Sequence, residues 1–428
     1  MKETADNIIR YIDSLENLVI DLETELCRRP AISPESGGEG ELDKCVFLES
    51  WLKARGINRL ERYDAPDPRA KGGIRPNLIA TIEGKDTGNC FWVMSHLDVV
   101  PPGEASLWDS DPWKVIRAEG GARADGTPLG KRIIGRGVED NQQGLVSSVL
   151  AVLALLNQGL TPSRTVKLLF VADEENGSGC GIDWLLRNHP ALFGKNDMAL
   201  VPDGGDHYGS SIEVAEKNIA WVKFTTRGLQ AHGSRPDQGR NACLAGADLA
   251  VRLHYELSER FSARDPLFEP AYSTFEPTKK EANVPNINTI PGEDVFSYDM
   301  RILPQYPVDE VLNEVDRIKA EVEAEYDVTV SYDLVQRMES RPTSPDSPLV
   351  KLLSKNAEEV YGVKTKPVGI GGGTVAAYLR NAGIDSAVWC RIEHSAHEPN
   401  EYALLDNILG DAKVMALMMV SSDLSPHR

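Results

Sequence analysis

Acidic residues and histidines stand at the ends of several short apolar runs in this sequence. Such runs are typical of β-strands, and in an open α/β sheet the carboxyl ends of the strands face the crevice that binds the ligand. We therefore expect these side chains to converge on one site. The residues expected there are His96, Asp140, Glu174, Glu175, Asp203 and His397.

A divalent metal is the expected partner of this group. Carboxylates a few ångströms apart raise one another's pKa or repel, unless a cation lies between them. Two imidazoles with several carboxylates and no thiolate suit Zn²⁺, with Co²⁺ or Mn²⁺ as substitutes. For two ions per chain the sequence offers five ligands: His96 and Asp203 on one ion, Glu175 and His397 on the other, and Asp140 as the bridge.

This assignment leaves Glu174 unbound beside a ligand, where a carboxylate can take a proton from metal-held water as a general base. Asp98, two positions after His96, is predicted to accept the second ring N–H of that histidine and to fix its tautomer. Each residue also has an ordinary interpretation. Strand-end histidines are often structural, and an aspartate before a helix, such as Asp140, is often an N-cap. Only the combination of residues favours a site.

The secondary-structure elements that must position these residues follow two sequence patterns. Short, nearly continuous apolar runs alternate with helical stretches in most of the chain, which predicts an α/β domain with a mixed, mainly parallel sheet and helices on both faces. The apolar runs are 78–82, 91–94, 166–171, 198–201 and 387–392.

Residues 213–335 follow a different pattern, in which apolar and polar residues alternate in strand-like runs separated by two long helical stretches. The order strand, helix, strand, strand, helix, strand predicts an α+β unit with a ferredoxin-like topology. Because the alternation of short apolar runs with helical stretches resumes afterwards, we interpret this unit as an insertion into the first domain. The predicted organisation is a first domain built from 1–214 and 337–428, with residues 215–336 inserted into it.

Composition excludes several classes of function. The 428 residues include 46 Lys and Arg against 65 Asp and Glu, a formal charge of −19, which argues against a nucleic-acid partner. No apolar run reaches the ~18 residues that span a bilayer, so no membrane partner is expected. The six cysteines form no C-x-x-C pair, and the N-terminal residues lack the layout of a signal peptide. We therefore predict free thiols and a cytoplasmic location.

The motifs around these residues resemble the cocatalytic zinc metallopeptidase family that includes aminoacylase, acetylornithine deacetylase, succinyl-diaminopimelate desuccinylase and related carboxypeptidases and dipeptidases. The resemblance covers nearly the whole chain and implies the same ligand roles, with Glu174 as general base. It is carried by Ser95-His96-Leu97-Asp98, Gly135-Arg136-Gly137-Val138-Glu139-Asp140, Asp173-Glu174-Glu175, Pro202-Asp203-Gly204 and Ala396-His397-Glu398-Pro399-Asn400-Glu401.

The resemblance also implies roles in the inserted unit, as a lid and homodimerisation domain. Segments 230–236 and 239–242 look like the family's lid motif, in which the counterpart of His232 reaches the active site of the opposite subunit and supports the oxyanion. A plain loop histidine is the alternative. Asn288 and Arg301 resemble residues that hold a substrate carboxylate, although Arg301 could equally be a surface charge. The loop of Gly371, Gly372, Gly373 and Thr374 corresponds to one whose amides face the substrate.

Three departures from the family pattern leave the acyl group of the substrate open. The glycine loop is followed by Val375-Ala376-Ala377-Tyr378 where relatives often have polar and acidic residues and an arginine. Asn141-Gln142-Gln143 stands where a lysine is common, and Glu393-His394-Ser395 where many members have glycine.

The predicted function is hydrolysis of the amide bond of an N-acyl amino acid, as in a deacetylase or desuccinylase of amino-acid metabolism. The expected mechanism uses two zinc ions, a metal-bridging hydroxide and a glutamate general base. A dipeptidase or carboxypeptidase of the same family is the nearest alternative, and a short peptide would then be the substrate. A two-metal phosphoesterase and a metal-stabilised binding protein without activity are more distant ones.

Overall fold

The computed structural model describes residues 2–123 and 125–422, and the following elements lie within those ranges. The α-helices are α1 (Lys2–Asp13), α2 (Glu16–Cys27), α3 (Leu42–Lys53), α4 (Gly144–Asn157), α5 (Ile182–Asn188), α6 (Ala242–Arg260), α7 (Val308–Tyr326), α8 (Pro348–Tyr361), α9 (Ala376–Asn381) and α10 (Leu405–Val420).

Seventeen β-strands also lie within the described residues. They are β1 (Leu60–Pro66), β2 (Ile74–Ile82), β3 (Asp86–His96), β4 (Ile116–Ala118), β5 (Arg132–Ile134), β6 (Arg164–Val171), β7 (Met198–Asp206), β8 (Ser211–Glu216), β9 (Asn218–Arg227), β10 (Ala231–His232), β11 (Thr274–Lys280), β12 (Thr289–Ile290), β13 (Glu293–Ile302), β14 (Thr329–Met338), β15 (Lys366–Ile370), β16 (Asp385–Arg391) and β17 (Tyr402–Leu404).

The largest sheet has eight strands in the order β1-β2-β6-β3-β7-β16-β8-β15. Its four central strands, β6, β3, β7 and β16, run parallel, whereas β1, β2 and β8 pair antiparallel with their neighbours. Parallel strands covered on both faces need apolar residues in nearly every position, and β6 is buried along almost its whole length. The predicted mixed, mainly parallel sheet is confirmed.

Helix α4 shows how the apolar runs of the sequence fill the core beside this sheet. Every residue from 144 to 155 is buried, because a helix that is apolar all round must be covered on all sides. It packs against the equally buried α10, and the Ser147 hydroxyl donates a hydrogen bond of 2.9 Å to the carbonyl of Ile408.

A second sheet has the order β11-β13-β9-β14, with every pairing antiparallel. Buried and half-buried residues alternate along β13, as expected for a sheet with one covered face. The covered face packs on α6 and α7 around a core that includes Phe224, Phe296 and Tyr298. The strand and helix order is that of a ferredoxin-like unit, as predicted.

The chain divides into two compact units. The first comprises the described residues of Met1–Val214, Thr343–Pro367 and Tyr378–Arg428, and the second comprises Ala215–Pro342 and Val368–Ala377. The second unit therefore includes the glycine loop, which the sequence analysis assigned to the first domain. The physical reason lies in contacts within that unit, since Arg301 Nη1 donates to the carbonyl of Gly371 at 2.8 Å. No helix among the described residues is long and apolar enough to cross a membrane.

Candidate metal centre

The residues at the carboxyl ends of the central parallel strands lie side by side. His96 is the last residue of β3 and pairs in register with Val171, the last residue of β6. The turn that carries Glu174 and Glu175 follows β6 directly. Asp203 lies on β7, the neighbour of β3 on its other side. Parallel pairing thus brings residues more than one hundred positions apart to one edge of the sheet.

Asp140 lies between two histidines. Its Oδ1 is 2.8 Å from Nε2 of His96, and its Oδ2 is 3.0 Å from Nε2 of His397. The residue sits in an irregular segment, Val138–Gln143, where the backbone of Asp140 and Asn141 is not helical. Asp140 is therefore not the N-cap of α4, which was its ordinary interpretation, and both of its oxygens face imidazoles.

The other two carboxylates complete the pairs that the sequence suggested. Asp203 Oδ1 is 3.7 Å from His96 Nε2, and Glu175 Oε2 is 3.1 Å from His397 Nε2. One pair contains His96 and Asp203, the other contains Glu175 and His397, and Asp140 contacts the histidine of each. Their assignment as metal ligands remains a prediction.

The donor set fits a divalent ion. Ligand atoms of His96, Asp140 and Glu175 lie within 4.8 Å of one another, as do those of His96, Glu174 and Asp203. Imidazole nitrogens with carboxylate oxygens suit Zn²⁺ and its neighbours. In addition, Oε1 of Glu175 is buried without a hydrogen-bond partner among the described residues, and a buried acceptor of that kind needs a cation or a proton.

The acidic groups of the site are crowded enough to change their ionisation. Burial raises the pKa of the Glu174 carboxyl to about 7, against the lowering effect of His96. Burial also raises the pKa of Asp203 well above its ordinary value. A carboxyl with a pKa near neutrality can both accept and return a proton at physiological pH, which is the property required of a general base that later acts as an acid.

The pKa values of the two histidines are also raised, in their case by the neighbouring carboxylates. The hydrogen bonds with Asp140 and Glu175 raise the pKa of His397 to about 10. Burial lowers the pKa of His96, but Asp203 and Asp140 outweigh that effect and raise it well above its ordinary value. Without a cation the cluster therefore holds protons on its imidazoles, and a bound metal ion must displace them.

Asp98 contacts His96 mainly through its backbone carbonyl, whereas the sequence predicted its carboxylate. Nδ1 of His96 lies 2.9 Å from the backbone carbonyl oxygen of Asp98, and 3.6 Å from its carboxylate. The carboxylate instead accepts the backbone N–H groups of Glu174 and Glu175, at 3.1 and 3.0 Å. The tautomer of His96 is thus fixed by the main chain of Asp98, while its side chain holds the turn that carries Glu174.

Asn141 is a residue of the site that the sequence analysis did not identify. Its Nδ2 donates to Oδ1 of Asp203 and to the carbonyl of Pro202, both at 2.6 Å. The amide thereby orients a carboxylate that faces His96. The only signal in the sequence was its position beside Asp140.

Several residues around the site have left-handed backbone conformations that side chains disfavour. His397 has φ 64° and Asn400 has φ 60°. Non-glycine residues are uncommon there, and a cost of about 1–3 kcal/mol each is offset only where the surroundings fix the chain. The Asn400 side chain provides part of that restraint, because it accepts the N–H of Asp109 and donates to the carbonyl of Leu107.

In the second unit, His232 and Asn288 lie on paired segments. His232 is opposite Thr289 in the β10–β12 pair, and the N–H of Gly233 donates to the carbonyl of Asn288. Nδ1 of His232 accepts the backbone N–H of Ser234 at 3.2 Å. That bond places the ring proton of a neutral imidazole on Nε2, so the exposed edge of His232 is a hydrogen-bond donor.

Arg301 is already engaged within the second unit. Its Nε and Nη2 donate to the carboxylate of Asp299, and Nη1 donates to the carbonyl of Gly371. The hydroxyl of Thr374 donates to Glu216 at 2.6 Å, so both ends of the glycine loop are anchored. Gly372 has open space where a side chain would begin.

Gly373 packs against the side chain of Met338. A Cβ atom there would lie 2.5 Å from the sulfur of Met338, so a larger residue would require that flexible side chain to move. The loop therefore contacts the last side chain of β14. A substrate-binding role for the loop, for Arg301 and for Asn288 remains a prediction.

Known proteins resemble this chain in sequence and in structure. A sequence profile described as peptidase family M20/M25/M40 matches residues 92–421. An uncharacterized metallohydrolase of Methanococcus maripaludis is 35% identical over 420 residues, covering 94% of this chain and 98% of that protein. A succinyl-diaminopimelate desuccinylase of Cereibacter sphaeroides is 27% identical over 368 residues, covering 84% and 87%. Among solved structures, the aminopeptidase PepT of Bacillus cereus has a TM-score of 0.74 at 17% identity, covering 96% and 99% of the two chains.

Proposed function

Because the chain belongs to peptidase family M20/M25/M40 and is a metallohydrolase of that family, we propose that it cleaves the amide bond of an N-acyl amino acid. The observation that carries the proposal is the position of Asp140, within 3.0 Å of the imidazole nitrogens of both His96 and His397. Such a carboxylate is suited to bridge two cations.

The proposed ligands are His96 and Asp203 for one ion, Glu175 and His397 for the other, and Asp140 for both. Two zinc ions held there would polarise the scissile carbonyl and make the attacking water more acidic. Co²⁺ or Mn²⁺ could replace zinc, since the ligand types suit all three.

Glu174 is the proposed general base. It lies in the group that includes His96 and Asp203. Its carboxylate makes no hydrogen bond with another described residue, and burial raises its pKa to about 7. In the reaction it takes a proton from water and passes it to the leaving amine. Asp98 supports this step by holding the backbone of the turn.

The remaining roles belong to the second unit. We propose that residues 215–336 form a lid and dimerisation domain, and that Nε2 of His232 donates a hydrogen bond to the oxyanion that forms at the scissile carbonyl. Asn288 and the backbone of Gly371–Thr374 would orient the substrate carboxylate, with Arg301 acting on it directly or through the loop.

The proposed substrate is an N-succinyl or N-acetyl amino acid, since the relative from Cereibacter sphaeroides is named for desuccinylation and covers 84% of this chain. A homodimer is proposed on the exposed apolar side chains of α6, Leu244, Val251 and Tyr255, which repeat at helical spacing along one face. The free cysteines support the cytoplasmic location predicted from the sequence.

The test begins with metal-depleted protein, reloaded with Zn²⁺, Co²⁺ or Mn²⁺ and assayed on N-acetyl amino acids, N-succinyl amino acids, dipeptides and nitrophenyl phosphate. We expect acyl amino acids to be cleaved with two ions bound per chain. Glu174→Gln should keep both ions and lower kcat about 100- to 10,000-fold, the range expected for the loss of a general base. The matched control, Glu61→Gln on the edge strand β1, should retain activity. Phosphate release without amide cleavage would overturn the proposal.

A further inference from the structure

Two buried glutamates connect the segment that carries Asp140 with the segment that carries His397. Glu139 adjoins Asp140, and Glu401 lies four residues after His397. Their exposed fractions are 5% and 0%. Each carboxylate bonds to the main chain of the other segment, so the contact is reciprocal.

Glu139 binds the loop that leads into His397. Its carboxylate accepts the backbone N–H groups of Glu393, Ser395 and Ala396, and also the hydroxyl of Ser395 at 2.8 Å. Four donors from one loop thus converge on a single side chain. The last of them, the N–H of Ala396, belongs to the residue immediately before His397.

Glu401 makes the reverse connection. Its Oε1 accepts the backbone N–H groups of Glu139 and Asp140, at 2.9 and 3.0 Å. Its Oε2 accepts the N–H of Gly137 at 2.9 Å and Nη1 of Arg136 at 2.7 Å. The backbone of the bridging aspartate is therefore held from the histidine segment.

We propose that Glu139 and Glu401 are positioning residues that lock these two segments together, and that Glu139 in particular sets the affinity of the metal ion bound by Glu175 and His397. This inference rests on the proposed function for the identity of the bound group. Its structural part, the lock itself, concerns hydrogen bonds that do not require the metal.

A purely structural role is a weaker explanation of this arrangement. Burying a carboxylate is costly unless its lone pairs are all satisfied, and an apolar pair of residues could join two loops at lower cost. Carboxylates that accept several main-chain N–H groups instead fix the path of the backbone at each bond. Groups that orient metal ligands in this way typically change metal affinity 10- to 100-fold when they are removed.

The two pairs of ligands depend differently on this lock. His397 has a left-handed backbone and an exposed side chain, so its position depends on the loop that Glu139 holds. His96 ends a buried strand of the central sheet. Loss of Glu139 should therefore weaken one metal site and leave the other in place.

The experiment is a Zn²⁺ titration of metal-depleted protein against a chromophoric chelator. The wild type should bind two ions. Glu139→Ala should bind one ion with wild-type affinity and the second 10- to 100-fold more weakly. Glu139→Gln, which keeps one acceptor oxygen, should lose less, and it carries the test if the alanine variant does not fold.

Asp197 provides a matched control, because its buried carboxylate also accepts backbone N–H groups, those of Cys90 and Gly194, but lies at the amino end of β7. Asp197→Ala should unfold at a lower temperature while both zinc affinities stay at the wild-type level. If Glu139→Ala binds both ions as tightly as the wild type, or if the Asp197 variant weakens the same site equally, the inference is wrong.

A readout without metal separates this inference from the proposed function. In metal-free protein, Glu139→Gln should accelerate hydrogen exchange at the N–H groups of Ser395 and Ala396. If the wild type does not bind two ions but Glu139→Gln still accelerates hydrogen exchange, the proposed function is wrong and the lock between the two segments is supported. Unchanged exchange would refute the lock.

Discussion

The carboxylate of Asp98 accepts the backbone N–H of Glu174, with 3.1 Å between Oδ1 and the nitrogen. Its second oxygen accepts the N–H of Glu175 at 3.0 Å. Because β3 and β6 are parallel neighbours, the residue after one strand can cap the turn after the other. The proposed general base is thus held by its main chain, which leaves its side chain available for proton transfer.

Removal of the Asp98 side chain should therefore impair catalysis more than metal binding. We expect Asp98→Ala to lower kcat about 10- to 100-fold, because a displaced catalytic group costs rate steeply. Zinc stoichiometry should stay near two, since Nδ1 of His96 is bonded to the backbone carbonyl of Asp98. Loss of zinc with an unchanged rate in the remaining loaded enzyme would show that the carboxylate acts on His96 instead.

Arg301 gives a prediction that separates two ways of acting on substrate. If it holds the glycine loop through Gly371, both Arg301→Ala and Asp299→Asn should raise KM, because Asp299 orients the guanidinium. The arginine variant should raise KM about 10- to 100-fold, consistent with a charged hydrogen bond. If Arg301 binds the substrate carboxylate directly, Asp299→Asn frees its charge and KM should fall. Steady-state kinetics on one N-acyl amino acid decides between them.

His232 is predicted to act from the partner subunit, which a mixing experiment can test. His232→Ala alone should lower kcat about 100- to 1,000-fold, as expected for loss of an oxyanion donor. When it is mixed with inactive Glu174→Gln protein under conditions that exchange subunits, mixed dimers contain one intact site, so activity should recover to at most about one quarter of the wild-type level.

A substitution that introduces a charge on the exposed face of α6 supplies the control for that experiment. Tyr255→Glu, introduced into both variants, should give monomers by sedimentation and abolish the recovery, because the side chain is 68% exposed in the chain and lies on the proposed interface. Recovery that persists in monomers would exclude the role of this face. Failure to recover in stable mixed dimers would exclude action between subunits.

The sequence was informative where a residue's position follows from the period of its strand. His96 and Asp203 could be placed because buried parallel strands are nearly continuous apolar runs, and their carboxyl ends share one edge. The sequence could not predict which of two acceptors on one residue, the backbone carbonyl or the side-chain carboxylate, contacts a neighbour. Whether the carbonyl or the carboxylate of Asp98 meets His96 depends on the path of the chain after the strand, which no pattern of residue types encodes.

Buried charges were the second limit of sequence reasoning. Glu139 and Glu401 stand inside two of the quoted motifs but received no role, since acidic side chains are usually exposed. Their proposed role depends on which main-chain N–H groups of a distant segment they meet. In the same way, the sequence could suggest that the Arg301 guanidinium binds a carboxylate. That its partner is Asp299 became evident only from the folded strand.

Asp411 gives a prediction about stability and pH that is independent of the metal site. It is fully buried on α10 and accepts hydrogen bonds from the hydroxyl of Tyr361, the N–H of Arg391 and the amide of Gln143. Burial raises its pKa to about 7. The folded protein therefore keeps this proton up to about pH 7, whereas the unfolded chain releases it near the ordinary value of 3.8.

Since the unfolded state binds fewer protons in that interval, the free energy of unfolding should fall as pH rises from 4 to 7 and then level off. The contribution of Asp411 is at most about 4 kcal/mol, at about 1.4 kcal/mol for each pKa unit. Asp411→Asn does not titrate, so its melting temperature should depend less on pH across this range than that of the wild type. Metal-free protein should be used, with the exposed Asp346→Asn as control. Parallel pH profiles for wild type and Asp411→Asn would contradict the assignment, because the carboxyl would then titrate alike in the folded and unfolded chain.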